Sequence, residues 1–181
     1  LALDGTMADS IVRYYFYDRK GRIVQLCEME GSDCSRYSYL YDFNGNILTE
    51  HQSHGPYSGA ASADQLVRTF TYDRYNRPTS EVSTLNDGPQ AEVYYMYNDL
   101  GQLTSKIFGN GTMESFTYNI QGWTTDKNSE NFDMKLSYFE SEHSGATPHY
   151  TGNITECQWQ HLNGLPQAYA YNYDAFGRLT G

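Results

Sequence analysis

The stretch Tyr171-Asn172-Tyr173-Asp174-Ala175-Phe176-Gly177-Arg178-Leu179-Thr180 contains the pattern that decides the fold. Alternate side chains of an extended strand share a face, so Tyr171 and Tyr173 place two rings on the same side. Asp174 starts a turn by accepting backbone N–H groups, and Gly177 tolerates the positive φ that closes it. Because a return strand begins at Arg178, the ten residues predict a β-hairpin.

Five earlier segments repeat this order of alternate aromatics, an Asp or Asn, and a Gly or Asn three residues later. They are residues 15–21, 39–45, 70–76, 95–101 and 116–122. The replacements follow backbone chemistry, because Asn tolerates a left-handed backbone best after Gly and caps a turn as Asp does. The structural repeat residues are therefore predicted to be Tyr17, Asp18, Gly21, Tyr41, Asp42, Gly45, Tyr72, Asp73, Asn76, Tyr97, Gly101, Tyr118, Gly122, Tyr173, Asp174 and Gly177.

The six motifs resemble the YD repeat of the Rhs family, whose consensus is Tyr-Asp-x-x-Gly-Arg-Leu-Thr. Residues 173–180 match every consensus position, and the resemblance extends from about Tyr15 to the last residue. Two positions depart from the consensus. Pro78 replaces the usual Leu and cannot donate to a ladder, which predicts an edge or a bulge there, and Trp123 stands where Arg is usual.

The resemblance implies a large secreted or cell-surface protein whose repeats form a β-sheet shell. In some toxins of this kind the shell encloses a C-terminal effector, and in adhesion proteins it presents a surface. Self-cleaving Rhs chains carry catalytic aspartates in a segment after the repeats, and no residue of this sequence matches that segment. The resemblance thus implies neither an enzyme nor a cofactor, and it leaves open the cargo, the ligand and the length of the parent chain.

The spacing of the motifs predicts an all-β fold, an antiparallel meander of repeated β-hairpins. Their tyrosines recur at intervals of 21 to 31 residues, which leaves room for a return strand and the next incoming strand. The longer interval from Tyr118 to Tyr173 predicts two degenerate copies, around residues 136–138 and 152–155. Residues 55–62 are expected to form a small-residue loop, with a short helical turn near 63–66, and residues 140–148 an exposed polar loop.

These patterns divide one continuous repeat domain into four parts. Residues 1–14 are a lead-in, 15–125 the regular repeats, 126–170 the degenerate repeats with the polar loop, and 171–181 a final truncated repeat. Gly101 closes a predicted hairpin, so we expect Gly101→Val to destabilise the fold more than Gly111→Val, although Asn110-Gly111 is a pair that can also form a tight turn.

Composition and charge limit the classes of function that the sequence allows. The 18 Tyr outnumber even the 16 Gly, which predicts an aromatic and partly polar core. The net charge of −10, with only 12 Lys and Arg spread along the chain, argues against a nucleic-acid surface. No apolar run is long enough to insert in a membrane, and the first residues do not have the pattern of a signal peptide.

The sequence predicts no metal, cofactor or catalytic residue. His51 and His54 have a spacing that would suit a metal on a helical turn, but Gly55-Pro56 breaks a helix there. The aspartates of the repeats are interpreted as turn caps rather than catalytic carboxylates. Among three cysteines, Cys27 and Cys34 could form a disulfide, although three small thiols packed under aromatic rings is the favoured interpretation.

Two functions remain open from the sequence. One is a non-catalytic structural module in a shell wall, whose partners are the neighbouring repeats of a parent chain. The other is a binding module for glycans or a protein partner, with Trp123 and Trp159 as candidate ligand-facing residues. Buried tryptophans would favour the first and an exposed row of rings the second. Unpaired strand edges also predict weak edge-to-edge self-association.

Overall fold

The computed structural model describes residues 10–57, 64–141 and 150–180, and these residues form thirteen β-strands and no helix. In chain order the strands are β1 (Ile11–Tyr17), β2 (Ile23–Glu30), β3 (Asp33–Tyr41), β4 (Ile47–Pro56), β5 (Asp64–Tyr72), β6 (Pro78–Leu85), β7 (Gln90–Tyr97), β8 (Leu103–Phe108), β9 (Met113–Tyr118), β10 (Thr124–Ser129), β11 (Phe132–Ser137), β12 (Glu156–His161) and β13 (Gln167–Ala170). The all-β antiparallel meander predicted from the repeats is confirmed.

The chain divides into two compact units, Leu1–Tyr94 and Tyr95–Gly181, and the boundary falls within β7. In the first unit, β1 to β7 are neighbours in chain order and every pair is antiparallel. In the second unit, β8 to β13 follow the same rule. This topology follows from the short connections, most of them two to five residues long, since a crossover between parallel strands needs a dozen residues or more.

Alternation along the strands places the repeat tyrosines on one side of each sheet, here called the tyrosine face. Ring centroids lie 6.5 Å apart for Tyr15 and Tyr17, and 6.3 Å apart for Tyr39 and Tyr41. A charged pair lies among these rings, where an Arg68 guanidinium nitrogen is 2.7 Å from a Glu50 carboxylate oxygen. The tyrosine face is therefore both aromatic and polar.

Each unit is a single layer of sheet with little fully buried surface. Among the described residues the buried hydrophobic side chains are Cys27, Cys34 and Tyr138. Most strand residues are half-buried, because within the described residues of each unit no second sheet or helix covers either face. The aromatic core expected from composition is thus replaced by half-buried rings that pack against their neighbours within one layer.

A β-bulge marks the repeat turns, and it explains the proline. The strand register shifts between Phe16 and Tyr17, between Leu40 and Tyr41, and between Thr71 and Tyr72. Pro78 pairs with Tyr72 at the third of these shifts, where a regular ladder hydrogen bond is not required. The bulge expected at Pro78 is confirmed.

The premise of the contrast between Gly101 and Gly111 is wrong. Both glycines have positive φ, 84° and 85° respectively. The Gly111 N–H donates to the Phe108 carbonyl at 2.8 Å, so Gly111 also closes a tight turn. Since either position strains a β-branched residue, we expect valine to cost a similar free energy at both.

The two expected degenerate copies are the two halves of one hairpin. Strands β11 and β12 pair directly, with Leu136 opposite Cys157 and Ser137 opposite Glu156. Residues 138–155 therefore connect the strands of one enlarged hairpin; we call this connection the enlarged turn, and in it Gly152 has a φ of 91°.

The two expected loops, residues 55–62 and 140–148, lie only partly within the described residues. Gly55 and Pro56 belong to β4, and Asp64 to Leu66 belong to β5, so the expected helical turn is wrong. Residues 58–63 and 142–149 lie outside the described part of the chain.

Candidate functional site

The aspartates of the repeats cap their turns through backbone hydrogen bonds. At Asp73, Oδ1 accepts the N–H of Tyr75 at 2.8 Å and that of Arg77 at 3.0 Å. The same kind of cap occurs at Asp18, Asp42 and Asp174, and at Asn98 and Asn119 where an amide oxygen replaces the carboxylate. Each of these side chains has a complete structural role in its turn.

The third residue after each cap has a left-handed backbone. The φ values are 78° at Gly21, 100° at Gly45, 63° at Asn76, 84° at Gly101, 84° at Gly122 and 74° at Gly177. The N–H of each of these residues donates to the carbonyl of its capping Asp or Asn. Asn76 is the one non-glycine of this set, because asparagine adopts this conformation at low cost.

The second carboxylate oxygen holds the consensus arginine. Arg22 Nε is 2.7 Å from Asp18 Oδ2, and Arg178 Nε is 2.7 Å from Asp174 Oδ2. Hydrogen bonds from the backbone N–H and the side chain of these arginines hold the pKa of Asp18 and Asp174 below the usual range. At Asp42 and Asp73 partial burial raises the pKa, but the hydrogen bonds outweigh it and the pKa is again lowered.

The lowered pKa values predict acid destabilisation. Because the folded-state pKa of each capping aspartate lies below its unfolded value of about 3.9, its contribution is complete at neutral pH and is lost as the pH falls through the unfolded value toward the folded one. Urea denaturation from pH 6 down to pH 3 should show this loss, and Asp73→Asn should reduce its steepness. An equally steep loss in Asp73→Asn would contradict the assignment to this group.

Tyrosine hydroxyls tie five of the repeats to the ones before them, a contact that sequence reasoning missed. Four of these hydroxyls donate to the backbone carbonyl of the first residue of the preceding return strand, and the fifth donates to Ile154, two residues before β12. The pairs are Tyr41 to Ile23 at 2.7 Å, Tyr72 to Ile47 at 2.7 Å, Tyr118 to Leu103 at 2.8 Å, Tyr138 to Thr124 at 2.7 Å and Tyr173 to Ile154 at 2.9 Å. We call this series of bonds the tyrosine ladder.

A signal for the ladder is present in the sequence. The first aromatic of a repeat is either Tyr or Phe, as Tyr39 and Phe70 show, whereas the second is Tyr in all six motifs. Phe supplies the same ring without a donor, so a position that always has Tyr indicates a hydrogen bond. The ladder also includes Tyr138, which the enlarged hairpin keeps in the equivalent place.

The consensus arginine also contacts the next repeat. The Arg22 guanidinium lies over the Tyr41 ring at 4.6 Å and donates to the Asp42 carbonyl at 3.1 Å. Trp123 takes this place in its own repeat, with its ring centroid 5.0 Å from that of Tyr138. The indole is therefore a packing substitute for arginine between two repeats.

The two candidate ligand-facing tryptophans occupy different settings. Trp123 follows a turn and also packs 5.8 Å from Phe139, whereas Trp159 lies within β12 opposite Met134 and Gln167. Both tryptophans are half-buried, so their exposure favours neither the structural module nor the binding module. A run of four consecutive exposed aromatics lies instead on β1, where Tyr14, Tyr15, Phe16 and Tyr17 are 46–59% exposed.

His51 and His54 lie three residues apart on β4, and they have different partners. His54 Nδ1 is 2.8 Å from Ser35 Oγ, while His51 lies opposite Ser38 on β3. Within residues 10–57, 64–141 and 150–180, no group of three or more His, Cys, Asp or Glu side chains could hold a metal ion. That part of the chain also contains no helix long and apolar enough to cross a membrane.

Comparison with solved structures gives a likeness in fold. The crystal structure of TcdB2-TccC3 superposes with a TM-score of 0.56 at 14% identity, covering 95% of this chain and 10% of that one. The chain shares this fold. The TcdB2-TccC3-TEV structure gives a TM-score of 0.55 at 15% identity, and the TcdB2-TccC3-Cdc42 structure gives 0.52 at 11% identity.

The likeness supports the Rhs/YD-repeat-like fold expected from the sequence. This chain spans about a tenth of the TcdB2-TccC3 chains it matches. No family model and no curated protein matches by sequence. The identity is low enough that the comparison concerns the fold alone.

Proposed function

We propose that this chain is a non-catalytic structural module, a wall segment in the β-sheet shell of a larger secreted or cell-surface Rhs/YD-repeat protein. The tyrosine ladder carries the proposal, because the recurring tyrosine hydroxyl is used for contacts between hairpins within the chain. The capping aspartates are likewise engaged in their own turns. The fold shared with a tenth of TcdB2-TccC3 supports the same function.

The exposure of Arg178, the last consensus arginine, supports the proposal that neighbouring repeats are the partners of this chain. The Arg22 and Arg77 side chains are 28% and 27% exposed, whereas that of Arg178 is 75% exposed. Arg22 is covered by the tyrosine of the next repeat, whereas Arg178 stacks on Phe176 of its own turn, at 5.4 Å. We therefore expect a further repeat to cover Arg178 in a parent chain.

Hydroxyl-radical footprinting of a parent protein and of this chain tests the structural function. In the parent, Leu179 and Tyr17 should be protected from oxidation relative to the isolated chain, because both are exposed here whereas the equivalent Ile47 and Tyr41 are half-buried between repeats. Phe43, an exposed turn residue between two repeats of this chain, is the matched control and should react equally in both. Equal reactivity of all three residues in both proteins would reject the wall-segment function.

The exposed row on β1 favours a second candidate, a binding module for glycans. Tyr15 and Tyr17 lie on the tyrosine face with near-parallel rings, 24° apart, which is a geometry that can stack on sugar rings. A glycan array probed with this chain and with Tyr15→Ala tests it. Binding that is lost in Tyr15→Ala would support the binding module, and the absence of binding by the unaltered chain would reject it.

We also propose weak edge-to-edge self-association through β1, whose side chains are all exposed. A free strand edge presents unpaired backbone donors and acceptors, while the net charge of −10 opposes contact between copies. Light scattering over a concentration series should therefore show association that increases with ionic strength. A monomer at every concentration and salt level would contradict it.

A further inference from the structure

The β2–β3 hairpin contains two buried cysteines in contact. Cys27 on β2 and Cys34 on β3 are 9% and 5% exposed, and both are free thiols. Their Sγ atoms are 2.8 Å apart, with one thiol donating to the other. The third cysteine, Cys157, lies far along the chain on β12 and is half-buried.

The strand register explains how the two thiols meet. Cys27 lies opposite Arg36 and Cys34 lies opposite Met29, so the cysteines are diagonal neighbours on one face of the sheet. Diagonal neighbours have Cα atoms about 7 Å apart, close to the upper limit for a disulfide. The side chains already span most of that distance, since a disulfide bond is about 2.05 Å long.

We propose that Cys27 and Cys34 are a site of disulfide formation that locks the β2–β3 hairpin when the chain meets a small-molecule disulfide. One protein thiolate attacks the oxidant, forming a mixed disulfide and releasing the first small thiol. The other cysteine then attacks the protein sulfur of that bond and releases the second small thiol. The two protein thiols lose two protons and two electrons, and the oxidant's disulfide is reduced to two thiols.

The surroundings of the pair allow this reaction and set its rate. A depression of about 440 Å³, lined by Tyr14, Phe16, Cys27 and Arg36 among others, gives access to the Cys27 side. Burial raises the pKa of the Cys34 thiol, so its thiolate is scarce near neutral pH. The bridge should therefore form slowly at neutral pH and faster as the pH rises.

Oxidation of the folded chain with oxidised glutathione, followed by alkylation and peptide mapping, tests the site. We expect a mass lower by two hydrogens, a peptide linking Cys27 to Cys34, and an alkylated Cys157. The melting temperature should rise by about 4–8 °C, since a short closed loop constrains the unfolded chain, and a reductant should reverse the rise.

Two serine variants provide the controls. Cys157→Ser should form the same bridge and show the same shift, whereas Cys34→Ser should show neither. The proposal is overturned if Cys27 and Cys34 both remain open to alkylation in the oxidised chain, or if the main bridge involves Cys157.

Discussion

Gly152→Ala should lower the free energy of unfolding by about 2–5 kcal/mol, the combined cost of a strained backbone and an overpacked contact. Gly152 has a φ of 91°, which L side chains rarely adopt. A Cβ atom at this position would lie 3.0 Å from one carbon of the Trp123 indole and 3.2 Å from another. Because Trp123 is held between Tyr138 and Phe139, the ring has little room to move away.

Gly45→Ala is the matched control for this variant. Its φ is 100°, and a Cβ built there meets no atom within 4 Å, so it should cost only the backbone strain of about 1–2 kcal/mol. Urea denaturation measures both variants. Equal losses at Gly45 and Gly152 would show that the Trp123 contact does not constrain the enlarged turn.

Tyr138→Ala should cost about 3–5 kcal/mol, because it removes a buried ring. Tyr138 is 8% exposed, packs against Trp123 and donates its hydroxyl to the Thr124 carbonyl. Tyr138→Phe retains the ring and should lose only the hydrogen bond, about 0.5–1.5 kcal/mol.

Phe176→Ala is the control for loss of an aromatic ring without burial. Phe176 is 85% exposed at a turn, so its removal should change the free energy of unfolding by about 0.5 kcal/mol or less. Chemical denaturation compares the three variants. A loss below about 1 kcal/mol for Tyr138→Ala would mean that the enlarged hairpin is not anchored by this ring.

The turns could be predicted from the sequence because their chemistry is local. Asp73, its backbone partners and Asn76 lie within five residues, so residue type alone indicates the cap and the left-handed backbone. Alternating aromatics likewise predict a strand and its shared face. Consecutive hairpins then leave an antiparallel meander as the simplest topology.

The contacts between repeats could not be predicted in the same way. The recurring tyrosine indicates a donor, but the acceptor of Tyr72 is the backbone carbonyl of Ile47, 25 residues away, which no residue type identifies. The enlarged turn was missed because residues 138 and 152 belong to one hairpin only through the pairing of β11 with β12. The single layer was missed because composition reports how many rings there are, and not what covers them.

The role of Trp123 shows what a departure from the consensus means physically. From the sequence, a tryptophan at a position where arginine is usual suggests an exposed ring that could contact a ligand. The structure instead places the indole over Tyr138, as Arg22 lies over Tyr41, so the position requires a flat group that packs on the next tyrosine.

Removal of single tyrosine hydroxyls tests the central claim, that the tyrosine ladder joins neighbouring repeats. Tyr41→Phe, Tyr72→Phe and Tyr118→Phe should each lower the free energy of unfolding by about 0.5–1.5 kcal/mol in urea denaturation. Tyr17→Phe, at a ring that is 59% exposed, should change it by less than about 0.5 kcal/mol. Losses at Tyr41, Tyr72 and Tyr118 no larger than the loss at Tyr17 would contradict the ladder.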